Sequence, residues 1–204
     1  MPANKNVNLN PSQQDMKELQ YLYNSRKFSI LESKAKELLK KYKKSVELQN
    51  ILGVALSVQW KLNYAIEIFE NIIKIQPNFY FAYNNMGNAL KDLCRLDEAK
   101  IYYQKCIKIN PKYIDAYIGL GKIFLDLNKL DKSAAVFQQA LKLKPENGDL
   151  HRRLSQVIKY EQTSSHVKDM EKIISAGNVT ADQQMHLSFA LGKAYEDMKS
   201  YDKA

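Results

Sequence analysis

The chain has 204 residues, 45% of them hydrophobic, with seven glycines, five prolines and a formal net charge of +9. So few turn-forming residues favour helices joined by short turns. The lysines are spread along the whole chain and Asn, Ile and Tyr are also abundant, so the charge indicates compositional bias, and nucleic acid is not an expected partner. The sequence has no run of roughly 18 apolar residues, as a membrane span needs, and its polar start does not resemble a secretory signal. A soluble, cytoplasmic protein is expected.

The chain is expected to begin with a disordered segment, residues 1–11, which is polar and rich in asparagine. Residues 12–45 follow, and their apolar side chains have the spacing of two amphipathic helices. Leu19 and Leu22 mark the first helix, and Leu31, Ala35 and Leu38 mark the second. The sequence therefore predicts a helical pair in this segment.

The middle of the chain consists of three consecutive 34-residue segments, 46–79, 80–113 and 114–147, with the same residue types at the same positions. Small residues at the eighth and twentieth positions let two helices cross closely, and an aromatic residue at the twenty-fourth fills the space beneath the crossing. A proline at the thirty-second position ends the second helix. These four positions hold Gly53, Gly87 and Gly121; Ala65, Ala99 and Ser133; Phe69, Tyr103 and Phe137; and Pro77, Pro111 and Pro145.

These residues resemble the tetratricopeptide repeat, a 34-residue helix–turn–helix unit. The resemblance implies an all-α, right-handed superhelical solenoid of antiparallel helix pairs that binds other polypeptides. It also makes residues 12–45 a degenerate capping repeat, because Leu19 and Lys43 stand where the glycine and the proline are expected.

The C-terminal part follows the repeat less closely. In residues 148–177, an irregular helical repeat, we expect a helix from Asp149 to Tyr160, a break at residues 163–165 and a second helix that ends near Gly177. Residues 178–204 form an incomplete terminal repeat, in which Thr180 and Gln183 form a capping box that opens a helix through Met198. Residues 201–204 then match the start of a second helix. We expect about twelve helices in all, a chain that is a fragment, and a bare last helix through which copies could associate.

The resemblance to tetratricopeptide repeats implies that the first helix of each pair lines a concave groove. Asparagine amides can donate to and accept from an extended peptide backbone, and arginine can hold a carboxylate through two hydrogen bonds. The groove therefore predicts an extended peptide ligand, acidic or with a C-terminal carboxylate, and an ordinary solvated face is the alternative. The predicted groove residues are Asn50, Asn84, Asn85, Asn88, Lys122, Arg152, Arg153, Gln156 and Lys159.

A carboxylate clamp for chaperone C-termini, known in related domains, is not predicted. At the five clamp positions this chain has Asn84, Asn88, Gly119, Asp149 and Arg153. Only Asn88 and Arg153 match the clamp pattern, and Asp149 reverses the required charge.

No catalytic, cofactor or metal site is predicted. His151, His166 and His186 lack metal-ligand spacing and are expected to be surface or capping residues. The repeat places Cys94 in a turn and Cys106 about three helical turns along the next helix, which is too far for a disulfide, so two thiols are expected, with Cys106 buried. Phosphate-loop, nucleophile-elbow and zinc-protease motifs are absent.

Two functions remain open at this point. The first is a non-catalytic scaffold for protein–protein interaction. The second comes from the block that begins at His151 and runs through Leu187–Asp197, which resembles the repeat region before the catalytic domain in bacterial fusions of these repeats with sulfotransferases. That resemblance implies an arm that positions a substrate or partner for a transferase domain beyond residue 204.

Overall fold

The computed structural model describes residues 11–161 and 164–200. These residues contain eleven helices and no strand, which confirms the all-α class. Residues 1–10 and 201–204, which include most of the predicted disordered segment and the start of the last predicted helix, lie outside the described residues. The helices are α1 Gln13–Asn24, α2 Phe28–Lys41, α3 Val46–Val58, α4 Leu62–Ile75, α5 Tyr80–Asp92, α6 Leu96–Ile109, α7 Ile114–Asp126, α8 Leu130–Leu143, α9 Gly148–Ser155, α10 Ser165–Ser175 and α11 Ala181–Asp197.

The chain divides into two compact units, Met1–Asn110 and Pro111–Ala204. In the first unit α1 packs on α2, α2 on α3, and so on to α6. In the second unit α7 packs on α8 and α8 on α9, whereas α11 packs on both α9 and α10. The segment boundaries predicted from the sequence stay predictions, although the helices of residues 12–143 recur at a spacing of 34 residues.

The turn inside each helix pair has the same backbone geometry. One residue there adopts a positive φ, and the next amide donates to the carbonyl five residues earlier, as from Arg95 N to Leu90 O at 2.9 Å. This is the Schellman arrangement, which satisfies the last carbonyls of a helix. It occurs once more after α11, so α11 ends like the first helix of a pair. The positive-φ residues are Arg26, Trp60, Cys94, Asn128 and Lys199.

The glycine at the eighth position is required by the aromatic ring beneath it. A Cβ atom added at this position would lie 2.5 Å from Phe69 in the first regular repeat, 2.9 Å from Tyr103 in the second and 2.3 Å from Phe137 in the third. The three rings are fully buried and so have no room to retreat. Beside the third crossing, the buried Ser133 hydroxyl donates to the Gly121 carbonyl at 2.8 Å.

The first helix pair fills the same crossing with the volumes exchanged. Leu19 occupies the position of the glycine and Ala35 the position of the aromatic ring, and both side chains are fully buried. Between these two positions the large residue has moved from the second helix to the first, and the twentieth position also holds a large buried residue, Leu31. A search for Gly and Phe at fixed positions overlooks this exchange.

The helix predicted from Asp149 to Tyr160 ends instead at Ser155. The Ser155 hydroxyl donates to the Arg152 carbonyl, and the chain then turns so that the Tyr160 amide reaches the Asp197 carboxylate at 3.3 Å. This turn lets the buried Tyr160 ring join an apolar cluster with Met170 and Leu187. Packing against α11 therefore prevails over the helical tendency of residues 156–160.

The last helix is covered more than the sequence suggests. The predicted capping box is present at Thr180 and Gln183, and Gly177 has φ 69° just after α10, as expected for a helix end. Because α11 packs on α9 and α10, it buries a full stripe of Leu187, Ala190, Leu191 and Ala194. The part of its apolar surface that stays open is Met185 and Phe189, which are 47% and 65% exposed.

A buried carboxylate joins the first helix pair to the second. Glu32 on α2 is 8% exposed and accepts from Lys36, from Lys61 at 2.8 Å and from Gln59 at 2.9 Å. These hydrogen bonds, chiefly those from the two lysines, lower the pKa of Glu32 to about 2.

Replacing Glu32 should lower the free energy of unfolding only at pH values at which its carboxylate is ionised. Because the folded pKa of Glu32 lies below the ordinary value of 4.5, its contribution is complete above pH 4.5 and is lost as the pH falls towards 2. We expect Glu32→Gln to lower the free energy of unfolding at pH 7 by on the order of 1 kcal/mol. Urea titrations at pH 7 and pH 2.5 measure the difference from the unmodified protein. A difference of the same size at both values would contradict this assignment.

Candidate functional site

An asparagine cluster lies on the first helices of two neighbouring pairs in the first unit. The Asn85 amide on α5 donates to the Asn50 carbonyl oxygen on α3 at 2.8 Å, and the Asn84 amide is 3.4 Å from the Asn85 oxygen. Asn50 and Asn85 are half-buried, whereas Asn84 is 5% exposed. We call Asn50, Asn84 and Asn85 the amide cluster. The sequence predicted all three as groove residues, and the structure brings them together.

The amide cluster contains an unsatisfied acceptor. The Asn84 side-chain oxygen is buried and has no hydrogen-bond donor among the described residues. A buried polar atom without a partner costs about 1–3 kcal/mol. Little is therefore lost when the Asn84 side chain changes its orientation, and a donor from a bound segment would remove the cost.

Asn88 has a structural partner within its own helix pair. Its side-chain oxygen accepts from the Tyr103 hydroxyl at 2.7 Å, although Asn88 itself is exposed. Tyr103 is fully buried, and this burial, with a smaller effect from Asp92, raises the pKa of its hydroxyl. The Asn88 oxygen thus satisfies a buried hydroxyl between α5 and α6, a role that the sequence did not indicate.

The basic residues of the second unit already face a carboxylate. Asp149 accepts from Arg152 Nη2 at 3.1 Å and from Arg153 Nε at 2.8 Å. Burial acts to raise the pKa of Asp149, but the two guanidinium groups outweigh it and lower the pKa on balance. The sequence predicted that arginine here could hold a ligand carboxylate, and in the structure each arginine already gives one N–H group to Asp149.

A cleft of about 610 Å³ opens between α9 and α11, beside these arginines. Gln156, one of the predicted groove residues, lies on the wall of this cleft directly after α9. Two other predicted residues do not line the cleft: Lys159 is exposed farther along the turn, and Lys122 is half-buried on α7. Sequence reasoning missed the apolar wall because it did not anticipate that α11 would lie directly against α9. The cleft is lined by Arg152, Ser155, Gln156, Met185, His186, Phe189 and Lys193.

Two histidines that were expected on the surface are brought together in the second unit. His151 is buried, His166 is half-buried, and their ring nitrogens are 2.7 Å apart. His186 lies elsewhere, on α11, with Nε2 3.8 Å from an Asp182 oxygen. The prediction of surface or capping residues was therefore wrong for the first two, because the first turn of α10 places His166 beside His151 of α9.

Other chemistry-bearing residues stay apart within residues 11–161 and 164–200. Cys94 is exposed and Cys106 is buried, and both are thiols, as predicted. Those residues contain no group of three histidine, cysteine or acidic side chains that could hold a metal ion. They also contain no helix with the length and hydropathy to cross a bilayer.

Family models place this geometry among known repeats. A model described as tetratricopeptide repeat matches residues 80–113, and a second model with the same description matches residues 114–147. These segments begin at the first residue of α5 and of α7, and each contains one complete helix pair. Residues 80–147 are therefore similar to two consecutive tetratricopeptide repeats. No curated protein sequence matches the chain.

Solved structures of tetratricopeptide proteins share the fold at low sequence identity. TTC0263 of Thermus thermophilus has a TM-score of 0.69 at 18% identity, over 88% of this chain and 98% of its own. PilF of Pseudomonas aeruginosa has a TM-score of 0.69 at 14% identity, over 93% of this chain and 86% of its own. The first repeat domain of Spaghetti (RPAP3) was solved with the HSP90 peptide SRMEEVD. It has a TM-score of 0.53 at 20% identity, over 55% of this chain and 91% of its own. These similarities show the fold, and the resemblance to sulfotransferase fusions stays a prediction.

Proposed function

We propose that the chain is a non-catalytic scaffold that binds an extended segment of a partner protein across the first helices of its repeats. The observation that carries this proposal is the amide cluster, in which three asparagines of α3 and α5 are joined and one acceptor has no partner. Amides both donate and accept, so they can pair with the alternating N–H and C=O groups of an extended backbone. Such pairing recognises the main chain of the bound segment rather than one particular side chain.

The known behaviour of similar folds supports the same class of function. Tetratricopeptide repeats act in general as surfaces for protein–protein interaction. One structural neighbour was solved with a bound peptide, so this fold accommodates an extended ligand. That peptide ends in a carboxylate, and the clamp residues that would hold such an end are mostly absent here, so we propose a different mode of recognition.

The proposed preference for an acidic segment applies to the second unit. There the ligand carboxylate would replace Asp149 as the partner of Arg152 or Arg153. Met185 and Phe189 would pack against an apolar side chain next to that carboxylate, because both are exposed on α11. The ligand carboxylate would take one arginine while Asp149 keeps the other, so each of these partly exposed charges retains a partner.

The test compares two asparagine variants of the first unit. Asn85→Ala removes the central member of the amide cluster, while Asn71→Ala makes the same change at an exposed asparagine of α4, a second helix. Peptides of about twelve residues are selected by display on the unmodified protein, and the affinity of the best binder is measured for all three proteins. We expect Asn85→Ala to weaken binding roughly 5- to 10-fold, since about one net hydrogen bond is lost.

Asn71→Ala should bind like the unmodified protein, because its side chain contacts Gln49 and lies outside the amide cluster. Circular dichroism checks that both variants keep their helices. Equal weakening by the two variants, or unchanged binding by Asn85→Ala, would place the binding surface elsewhere.

A further inference from the structure

Four groups of the second unit form a continuous hydrogen-bonded chain. His151 Nε2 is 2.6 Å from the Pro145 carbonyl oxygen, and His151 Nδ1 is 2.7 Å from His166 Nε2. The Tyr160 hydroxyl is 2.7 Å from His166 Nδ1. The three rings are nearly parallel, with 4.9 Å between the centroids of the two imidazoles and 5.7 Å between those of Tyr160 and His166. We call Pro145 O, His151, His166 and Tyr160 the histidine–tyrosine chain.

The carbonyl at one end fixes the direction of every hydrogen bond. A carbonyl only accepts, so His151 carries its proton on Nε2 and its Nδ1 accepts from His166 Nε2. His166 Nδ1 then accepts from the Tyr160 hydroxyl. With both rings neutral, each ring nitrogen has a partner of the right kind.

An added proton breaks this order. If His151 gains a proton on Nδ1, two N–H donors face each other across 2.7 Å. If His166 gains a proton on Nδ1, that nitrogen can no longer accept from the Tyr160 hydroxyl, and the hydroxyl hydrogen loses its acceptor. Either protonation therefore costs at least one buried hydrogen bond, and repulsion between two imidazolium rings is added when both are charged.

The charged groups around the histidine–tyrosine chain do not remove this cost. Burial lowers the pKa of His151, against an opposing effect of Asp169, and burial together with His151 lowers the pKa of His166 to about 4. Lys142 from α8 and Lys172 from α10 lie with His151 and His166 along a cleft between α8 and α10. From α11, Asp197 accepts from the Tyr160 amide and raises, with burial, the pKa of the Tyr160 hydroxyl.

The position of the histidine–tyrosine chain determines which segments it holds together. It connects the turn after α8, the helix α9, the segment after α9 and the first turn of α10. A cleft of about 690 Å³ lies between α8 and α10, with His151, Leu154 and His166 on its floor. Because this cleft separates α10 from α8, the attachment of α10 depends on α11 and on the histidine–tyrosine chain.

We propose that the histidine–tyrosine chain is a proton-sensitive latch, which keeps α10 against α9 when both histidines are neutral and releases α10 when they are protonated. Release would move the first turn of α10 away from α9, widen the cleft that His166 lines and loosen the packing of Val167 and Met170 in the apolar cluster with Tyr160 and α11. The inference is independent of the proposed function, since it concerns none of the residues of the amide cluster.

The pH range follows from the direction of the shifts. Both folded pKa values lie below the ordinary 6.5, so the latch is fully stable above pH 6.5 and loses stability as the pH falls to about 4. For His166 alone, an open state with a pKa of 6.5 and a closed state with about 4 give an opening equilibrium roughly 20-fold larger at pH 5 than at pH 7.

The test is amide hydrogen exchange of the whole chain at pH 7 and pH 5, corrected for the intrinsic effect of pH on exchange. We expect the protection of α10 to fall roughly 20-fold or more relative to α7, which belongs to the same unit and lies outside the latch. At pH 7, NMR of the imidazole nitrogens should show His151 and His166 as neutral rings in the same tautomer, protonated on Nε2 and accepting on Nδ1.

Two variants separate a titrating latch from an ordinary buried contact. His166→Gln removes the ring with the larger shift and leaves only His151 to titrate, so the protection of α10 should change by clearly less than about 20-fold between the two pH values. Tyr160→Phe removes one hydrogen bond but keeps both histidines, so α10 should be less protected at both values and should still lose protection as the pH falls. The proposal is overturned if α10 and α7 of the unmodified protein respond equally to pH, or if His166→Gln keeps the full response. The first of these results needs no variant to fold.

Discussion

Replacing Gly121 by alanine should lower the free energy of unfolding by about 1–3 kcal/mol, even though alanine is the better helix former. The new Cβ atom would lie 2.3 Å from a ring carbon of Phe137, and that ring is 1% exposed. The ring cannot move away without disturbing the packing of α7 on α8, so the overpacking exceeds the gain in helix propensity. Urea unfolding followed by circular dichroism measures the change.

The matched control is Gly192→Ala on α11. Gly192 is also a helical glycine, but a Cβ atom there meets no atom within 4 Å outside the backbone of its own helix. The same substitution should therefore raise stability by about 0.5–1 kcal/mol through helix propensity alone. Opposite signs for the two variants support the crossing geometry. A neutral or stabilising Gly121→Ala would mean that the helices do not cross as closely as the structure has them.

The second large effect concerns the exchanged volumes of the first helix pair. Ala35→Phe should cost about 1–3 kcal/mol by overpacking against Leu19, and Leu19→Gly should cost about 2–5 kcal/mol by opening a cavity. Combined, the two changes restore the arrangement of the regular repeats, with a glycine on the first helix and a ring on the second. We expect the double variant to be more stable than the sum of the single changes by about 0.5–3 kcal/mol.

This double-mutant cycle is measured by urea unfolding of the four proteins under one set of conditions. The coupling should appear only for this pair of positions. Strictly additive changes would show that Leu19 and Ala35 do not share one space, and residues 12–45 would then not belong to the repeat geometry.

The regular repeats were predictable from sequence because each of their positions has a local physical reason. Glycine faces a buried ring, and proline follows each second helix, so a period of 34 residues is visible without any structure. The capping box at Thr180 and Gln183 was predictable for the same reason, since both of its hydrogen bonds lie within one helical turn.

The irregular repeat was not predictable because long-range packing decides it. The end of α9 at Ser155 depends on Asp197, which lies more than 40 residues farther along the chain. The meeting of His151 with His166 depends on the path of α10, for which no local pattern is known. An aromatic or histidine residue carries no sequence signal for a partner that only tertiary structure supplies.

The sequence predicted which residues belong to the candidate site better than it predicted their hydrogen-bond partners. The repeat positions identified Asn50, Asn84 and Asn85 as groove residues, and the structure brings them within hydrogen-bonding distance. The same positions gave no indication that the Asn88 oxygen serves Tyr103 or that Asp149 neutralises two arginines. Intramolecular partners of polar residues on adjacent helices depend on rotamers, which a single sequence does not specify.

Site-specific photo-crosslinking in the source cells tests the proposed scaffold function most directly. Benzoylphenylalanine is placed at Asn85, in the amide cluster, and at Asn71, the exposed asparagine on α4. We expect the probe at position 85 to crosslink to an extended segment of a partner protein, identified by mass spectrometry. The probe at position 71 should not crosslink to it. Crosslinks of equal yield from both positions, or from position 71 alone, would contradict it.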